Sequence, residues 1–396
     1  MMQISPEIQL FIREHSSDDV RVLALQAKKY PDIDMPTVIT QIAGRKVAAE
    51  KIPSWWEIEK IWYPKHLSLE QCSSEITARY KARLLQGDSL TDLTGGFGID
   101  CSFLATGFKS ATYVERQEEL CEIAAHNFPV LNLNHINIKN EDGVTYLQAM
   151  SPVDCLFLDP ARRNEHGGKT VAISDCEPNV AELEELLLQK ANRVMIKLSP
   201  MLDLSLALKE LKQTQEVHIL SVNNECKELL ILLGQTSPAE ISIHCVNLFT
   251  KGTQKEQHFV FTREQEQCSE CTYTDSLETY LYEPNASLLK AGAFRSIAAA
   301  YPVRKLHPNS HLYTSDTFIE NFPGRIFRIV NQCSFNKKEV KENLADLKKA
   351  NVTARTSPAT VAELRKRIHL AEGGDTYLFA STLNNGQKVL IRCEKV

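Results

Sequence analysis

The first residues that could do chemistry are Asp159-Pro160-Ala161-Arg162, which follow the apolar run Leu156-Phe157-Leu158. A strand ending this way delivers a carboxylate, a rigid turn and a guanidinium to one edge. Asp159 can orient an acceptor or take its proton, Pro160 fixes the turn because its ring locks φ, and Arg162 offers a contact to a phosphate or an acid. Arg162 and Arg163 equally suit ion pairs with Glu165 or Asp175. Upstream lies Asp92-Leu93-Thr94-Gly95-Gly96-Phe97-Gly98, again between strand-like and helix-like stretches. Glycines at such a turn let the backbone approach a ligand closely and aim free N–H groups at it. The dinucleotide pattern GxGxxG is incomplete because Cys101 takes its third position, which disfavours NAD. Glu115, 17 residues beyond Gly98, ends the next strand-like stretch, where a carboxylate can accept from both hydroxyls of a ribose. Asp142, in Asn140-Glu141-Asp142-Gly143, is placed to accept from an exocyclic adenine amine. Together with Asp92 these acids outline an adenosine-shaped site. Lys197, in Lys197-Leu198-Ser199-Pro200, reads either as a contact at the acceptor or as a lysine whose stem packs and whose head reaches water.

The elements that must hold these residues alternate in type. Strands are expected at Ser89 to Leu93, Ala111 to Glu115, Ile136 to Lys139, Cys155 to Asp159 and Arg193 to Leu198, with amphipathic helices such as Val180 to Lys190 between them. That alternation predicts a parallel α/β sheet. Glu216 to Val222 and Glu228 to Leu233 are separated too briefly for a crossover helix, so they should pair antiparallel. Residues 1–85 read as a helical lead-in, with Ser16-Ser17-Asp18-Asp19 among its caps and one last helix over Leu69 to Ala82, N-capped by Ser68, that could cap the pocket. Residues 241–249 and 258–262 predict another hairpin. The expected domains are 1–85, 86–275, a small ferredoxin-like or connecting domain at 276–324, and a β-α-β-α-β-β module at 325–396 that closes with an Asn384-Asn385-Gly386 turn.

The stretch from Ser89 to Leu233 resembles a class I S-adenosylmethionine-dependent methyltransferase, whose Rossmann-like sheet has five parallel strands plus an antiparallel hairpin. The resemblance implies S-adenosyl-L-methionine as cofactor. It matches Asp92 and Gly95, Gly96 and Gly98 to the motif at the methionine end, with Thr94 standing where many members carry Gly. It also matches Glu115 to the ribose acid, Asp142 to the adenine-contacting acid, and Asp159 to Arg162 to the acceptor motif. More of the chain, from about residue 50 onward, is similar to bacterial proteins with a helical lead-in, this core and a C-terminal THUMP-like domain. That likeness rests on Gln71-Cys72-Ser73-Ser74-Glu75, Thr77-Ala78, Tyr80-Lys81, Asp159 to Arg163, Lys197 to Pro200, Glu225 to Leu229, Tyr282 to Asn285, Phe322 to Arg325 and Arg365-Lys366. It implies methylation of RNA (tRNA or rRNA). A covalent route to a pyrimidine C5 needs a thiolate after the fifth strand, where this chain has Ser199, so a nitrogen or oxygen acceptor is expected. Cys226 is the nearest alternative thiol. Methylation of a small molecule or a protein, and a non-catalytic cofactor-binding RNA scaffold, are the other readings the sequence leaves open.

At 396 residues the chain is long for one core, which argues for several domains. The net charge of −5 hides an asymmetry: residues 325–396 hold 14 Lys+Arg against 7 Asp+Glu, a balance of +7, which leaves −12 for the rest. A basic module on an acidic body points toward RNA. Lys337, Lys338, Lys341, Lys348 and Lys349 would share one face of a helix beside an apolar stripe of Val340, Leu344 and Leu347, and Arg365, Lys366 and Arg367 add charge near the end of the next. No apolar stretch reaches the roughly 20 residues of a membrane helix, and the N-terminus lacks a signal-peptide pattern. Eleven scattered cysteines suit a reducing compartment, so a cytoplasmic location is expected. Cys268 and Cys271 form a lone CxxC, and no metal site is expected.

Overall fold

Ahead of the first strand the chain is helical: α1 (Pro6–Glu14), α2 (Val20–Leu25), α3 (Met35–Lys51), α4 (Pro53–Trp56), α5 (His66–Gln71) and α6 (Glu75–Ala82). This computed structural model describes residues 4–162, 172–236, 238–357 and 359–396. Side-chain caps set the first helices. Ser5 accepts from Ile8 N at 3.3 Å, Asp19 from Arg21 N at 2.7 Å and Asp34 from Thr37 N at 3.4 Å. The expected helix over Leu69 to Ala82 is two helices. The chain leaves α5 at Cys72 and runs extended through Ser74 (φ −78°, ψ 155°), and the predicted cap at Ser68 lies inside α5, which starts after Lys65 without a side-chain cap. The break turns Ser73 inward, where it is buried.

The chain then alternates: β1 (Ser89–Asp92), α7 (Ile99–Ala105), β2 (Ser110–Glu115), α8 (Glu118–Val130), β3 (Ile136–Asn140), α9 (Gly143–Ala149), β4 (Val153–Leu158), the two-residue strands β5 (Ala161–Arg162) and β6 (Cys176–Glu177), α10 (Val180–Lys190), β7 (Ala191–Leu198), α11 (Leu204–Glu210), β8 (Thr214–Val222) and β9 (Glu225–Gly234). Two compact units emerge, Met1–Gln215 with Leu229–Pro238 and Glu216–Glu228 with Ala239–Val396. In the first, parallel pairing gives the order β3-β2-β1-β4-β7, and β9 closes it antiparallel to β7. The five parallel strands are the five expected from the sequence. The central strands β4 and β7 carry continuous buried apolar runs, Cys155 to Leu158 and Val194 to Ile196, because helices cover both faces of a parallel sheet, whereas the edge strand β3 has no fully buried residue. β1 is followed in space by β2 on one side and β4 on the other. That reversal opens a crevice beyond the C-terminal ends of β1 and β4, where such sheets bind ligands. The lead-in helices pack on the same unit through Ile52, Trp55, Tyr63, Phe97 and Ile99, with Trp55 edge-on to Phe97 at 5.2 Å.

The second unit begins where β8 turns through Asn223 and Asn224, both at positive φ, a conformation that asparagine tolerates. It continues with β10 (Ser242–Leu248), β11 (Glu256–Thr262) and α12 (Arg263–Cys268). β10 runs parallel to β8 and antiparallel to β11, which gives the predicted hairpin. There follow β12 (Tyr280–Pro284), α13 (Ala286–Ala291), α14 (Ser296–Ala300), β13 (Arg304–His307), β14 (Ser310–Ser315), β15 (Gly324–Cys333), α15 (Lys337–Asn343), β16 (Asn351–Ala354), α16 (Val361–Ile368), β17 (Thr376–Thr382) and β18 (Lys388–Lys395). These strands form a sheet in the order β13-β14-β12-β15-β18-β17-β16. Buried Glu283 on β12 accepts from Arg325 on β15, at 2.8 Å from Nε, and from Arg355 at 3.2 Å. The expected long basic helix is corrected: α15 stops at Asn343, so Lys348 and Lys349 lie beyond it and share no helix face with Lys337, Lys338 and Lys341. Arg392 captures the helix end by donating to the Asn343 carbonyl at 2.9 Å and to Asp346 at 2.8 Å. Val340, Leu344 and Leu347 still pack inward together.

Candidate functional site

The glycine turn hangs between β1 and α7 and is held by three neighbours, two through its backbone and one through the Thr94 side chain. Gly95 N donates to the Val114 carbonyl at 2.8 Å, Gly96 N to Glu115 Oε2 at 2.8 Å, and Thr94 Oγ1 accepts from Asp159 N at 2.6 Å. Gly96 and Gly98 sit at φ +55° and +86°, which L side chains rarely adopt. A Cβ on Gly95 would lie 2.2 Å from the Tyr113 ring. The turn therefore needs its glycines for packing as well as for backbone conformation. Thr94 joins the cofactor-like turn directly to the first residue of the Asp-Pro motif.

Asp92 ends β1 with 1 % of its surface exposed. Its Oδ1 accepts from Thr94 N at 3.0 Å, while Oδ2 is buried without a partner. Burial pushes this carboxyl up to about 8; the Thr94 hydrogen bond pulls the other way, and the charges of Asp100, Asp159 and Glu115 add to the rise. Glu115 ends β2 and spends both oxygens on backbone, accepting from Gly96 N and, at 2.8 Å, from Gln117 N. Asp142 caps α9, accepting from Val144 N and Thr145 N at 3.0 Å through Oδ1 alone. The three acids thus lie at the ends of β1, β2 and β3, on one edge of the sheet.

Beside the ends of β4 and β7 the structure assembles a five-member polar cluster. Lys197, at the end of β7, donates to Asp159 Oδ2, to Ser73 Oγ at 3.1 Å and to Asp100 Oδ2 at 3.3 Å. Lys81, on α6 and fully buried, donates to Ser73 Oγ at 2.8 Å and pairs with Asp100 Oδ1 at 2.9 Å. Ser73 in turn donates to Asp100 Oδ2 at 2.7 Å. Burial alone would raise the Asp100 carboxyl, but Lys81, Lys197 and Ser73 outweigh it and hold the group below the usual carboxylate range. Desolvation raises Asp159 against the pull of Lys197; with 37 % of the side chain accessible, water limits that rise. Two cations and two anions balance, so the cluster can hold Asp159 as an oriented carboxylate whose Oδ1 is available to an acceptor.

Of the residues expected from sequence, Asp92, Thr94, Gly95, Gly96, Gly98, Glu115, Asp159 and Lys197 converge here, with Pro160 buried behind Asp159. Asp142 stands further along the same edge. Arg162 lies in β5, paired to Cys176, but its side chain, like Arg163 and Glu165, falls outside the described residues. Lys197, largely buried, reaches Ser73, Asp100 and Asp159 within the cluster. Ser73, Lys81 and Asp100 entered the site without a sequence assignment, although Asp100 follows Gly98 by two residues, Ser73 just precedes the last lead-in helix and Lys81 lies within it. Cys226, considered as a thiol donor, belongs to the second unit; burial pushes it up to about 11, which keeps it a neutral thiol.

This strand order, with a glycine turn after the first strand, acids after the second and third and an Asp-Pro motif after the fourth, is the class I methyltransferase fold. Residues 280–323 match a ferredoxin-like domain family, and residues 324–395 match the family described as THUMP domain-like. The crystal structure of a proposed methyltransferase from Porphyromonas gingivalis W83 is similar over 98 % of this chain and 98 % of its own, at 34 % identity and a TM-score of 0.87. The chain belongs to that protein's family, class I S-adenosylmethionine-dependent methyltransferases with a C-terminal THUMP-like domain. An rRNA methylase from Streptococcus thermophilus aligns over 40 % of this chain and 93 % of its own at 14 % identity, TM-score 0.30. A proposed methyltransferase from Streptococcus mutans, solved with SAH, aligns over 40 % and 96 % at 14 % identity, TM-score 0.30. No curated protein matches the chain.

Proposed function

We propose that the protein transfers a methyl group from S-adenosylmethionine to a nitrogen or oxygen atom of RNA. The observation that carries this reading is the hydrogen bond from Asp159 N to Thr94 Oγ1, which makes the cofactor turn and the acceptor motif one rigid unit. The residues present fit the cofactor. Buried Asp92 Oδ2 lacks a partner, which suits the ammonium at the methionine end, and Gly95, Gly96 and Gly98 leave room for close backbone approach. Glu115 would take the ribose hydroxyls after exchanging a backbone hydrogen bond, and Asp142 Oδ2 is left for the adenine amine by its cap. The cofactor supplies an electrophilic methyl group.

The chain's own residues then have to position the acceptor and deal with a proton. Asp159 accepts from the acceptor's N–H or O–H through Oδ1. Lys197 keeps Oδ2 occupied and so fixes the plane of the carboxylate, while Asp100, Lys81 and Ser73 hold the Lys197 ammonium in place. Pro160 limits the turn, and Arg162 is assigned to a phosphate or acid next to the target atom. Ser199 follows the fifth strand in place of a thiol, which supports the nitrogen or oxygen acceptor. RNA as substrate is supported by the excess positive charge of residues 325–396, by the THUMP domain-like match and by the exposed Lys337, Lys338, Lys341, Lys366 and Arg367.

Calorimetric titration with S-adenosylmethionine and S-adenosylhomocysteine, with Glu115→Ala as control, tests the cofactor. Tritiated methyl transfer to total bacterial RNA, with Asp159→Ala as control, tests the reaction. Binding lost in the first variant and transfer lost in the second, with cofactor affinity intact, are expected. Parental transfer by Asp159→Ala would refute the catalytic assignment. Label entering only small molecules or protein would refute RNA as substrate.

A further inference from the structure

In the second unit, three imidazoles stack across the strands β8, β10 and β11. His218 lies directly opposite His244 in the parallel pair, and His258 lies opposite Val246 in the antiparallel one. Because side chains alternate faces with a period of two, Glu216, His218, His244 and His258 all stand on the same face. The rings of His218 and His244 are 4.3 Å apart and inclined by 18°, and those of His244 and His258 are 5.3 Å apart at 26°. Glu216 Oε2 sits 3.2 Å from His218 Nε2, and His244 Nδ1 sits 3.2 Å from His258 Nε2. One ligand atom from each of Glu216, His218 and His244 lies within 4.8 Å of the others. His218 is buried, Glu216 and His244 are half-buried, and His258 faces solvent.

We propose that Glu216, His218 and His244 bind one zinc ion, with His258 next in reach for the fourth position. In a tetrahedral zinc site the bonds are about 2.0–2.2 Å, so neighbouring ligand atoms lie about 3.3 Å apart. Two of the contacts already show that spacing, and the 4.8 Å spread closes by rotation about side-chain bonds. Two imidazoles are borderline donors and one carboxylate a hard one, and it is the nitrogen pair that makes the set suit zinc better than magnesium or calcium. His244 Nδ1 faces His258 Nε2 at 3.2 Å and its Nε2 faces Ser242 Oγ at 3.1 Å, so the ion would take the place of one of these two contacts. The ion would bridge β8 to β10 through side chains of the two strands, adding a link that backbone hydrogen bonds alone do not supply. The CxxC pair Cys268 and Cys271 is a rival sulfur site on the same chain and has to be separated from this one.

The test is titration of the chelator-treated full-length protein with zinc chloride, with magnesium chloride as the hard-cation comparison. X-ray absorption on the zinc-loaded sample follows. Expected are one zinc per chain, a raised melting temperature, nitrogen and oxygen scattering without sulfur, and no heat with magnesium. Glu216→Gln and His244→Gln, which conserve size and polarity in half-buried positions, should each abolish binding while circular dichroism stays parental. A Cys268→Ser/Cys271→Ser double variant should bind as the parent does. No zinc binding, sulfur scattering, loss of binding in the cysteine variant, or unchanged binding in both folded glutamine variants would each overturn the proposal.

Discussion

Binding a cation beside Asp92 should cost the protein a proton, and the size of that effect follows from the burial of one carboxyl group. Asp92 is raised from 3.8 to about 8. At pH 7 the folded protein therefore holds it protonated, while in the unfolded chain it is ionised. The sign follows directly. A carboxyl whose folded value is raised contributes stability that is full below about pH 4 and is lost as pH rises toward 8. Between 3.8 and 7 the loss spans about three units, on the order of 4 kcal/mol at 1.36 kcal/mol per unit. Asp92→Asn, which keeps shape without the charge, should then resist urea better than the parent by a margin that grows from pH 5 to pH 8. For the cofactor the sign reverses. If its ammonium pairs with Asp92 Oδ2 and restores an ordinary pKa, binding at pH 7 releases close to one proton, and affinity rises up to about tenfold per pH unit from 5 to 8. Calorimetry in two buffers of different ionisation enthalpy counts that proton. The ligand's own amine titrates near 8, and Asp92→Asn reports that contribution by itself. A parent protein that releases no more protons than Asp92→Asn, with the same pH profile, would refute the reasoning.

Lys81→Met should destabilise the protein by roughly 3–5 kcal/mol, because it strips the fully buried partner from Asp100 and leaves an undercompensated charge; a urea midpoint shift worth under about 1 kcal/mol would mean that the cluster relaxes around the loss. Gly95→Ala forces a Cβ to within 2.2 Å of a Tyr113 ring that is itself packed edge-on to Phe128 at 5.4 Å, so a loss of about 1–3 kcal/mol and weaker cofactor binding are expected. Gly107→Ala, whose nearest neighbour would be 3.7 Å away, should be neutral in a thermal melt that registers the Gly95→Ala loss. Thr94→Val keeps the volume but leaves Asp159 N without its acceptor, which predicts about 1 kcal/mol lost and methyl transfer reduced with cofactor affinity unchanged. Thr94→Ser should restore both.

What the sequence showed of this site is what lies close along the chain. The Asp92 to Gly98 turn, Glu115 and Asp159 each end an apolar strand, and the strand–helix period alone carried them to one edge. The cluster around Lys197 was not visible in that way. Ser73 and Asp100 are 27 residues apart, Lys197 and Asp100 97, and Lys197 and Ser73 124. Only the packing of α6 on α7, and of both beside the end of β7, brings them together. The helix break that turns Ser73 inward runs against the local pattern, since Leu69 to Ala82 continues as helix by periodicity. Its compensation is tertiary, in the hydrogen bonds that Ser73 makes to Lys81, Lys197 and Asp100.

The same physics accounts for the length of α15 and for a side-chain cluster that the sequence does not group. The stripe Val340, Leu344 and Leu347 keeps helical spacing past Asn343, so the sequence extends α15 to Lys349. The chain leaves the helix because Arg392, 49 residues away, satisfies the terminal carbonyl that another turn would have bonded. Glu216, His218, His244 and His258 show no metal-ligand spacing, because the ligands are collected across strands and not along one. Sheet register decides whether they meet: a one-residue slip of β10 against β8 would send His244 to the opposite face. Zinc binding that disappears in His244→Gln would therefore report on the register of these strands as well as on the ion.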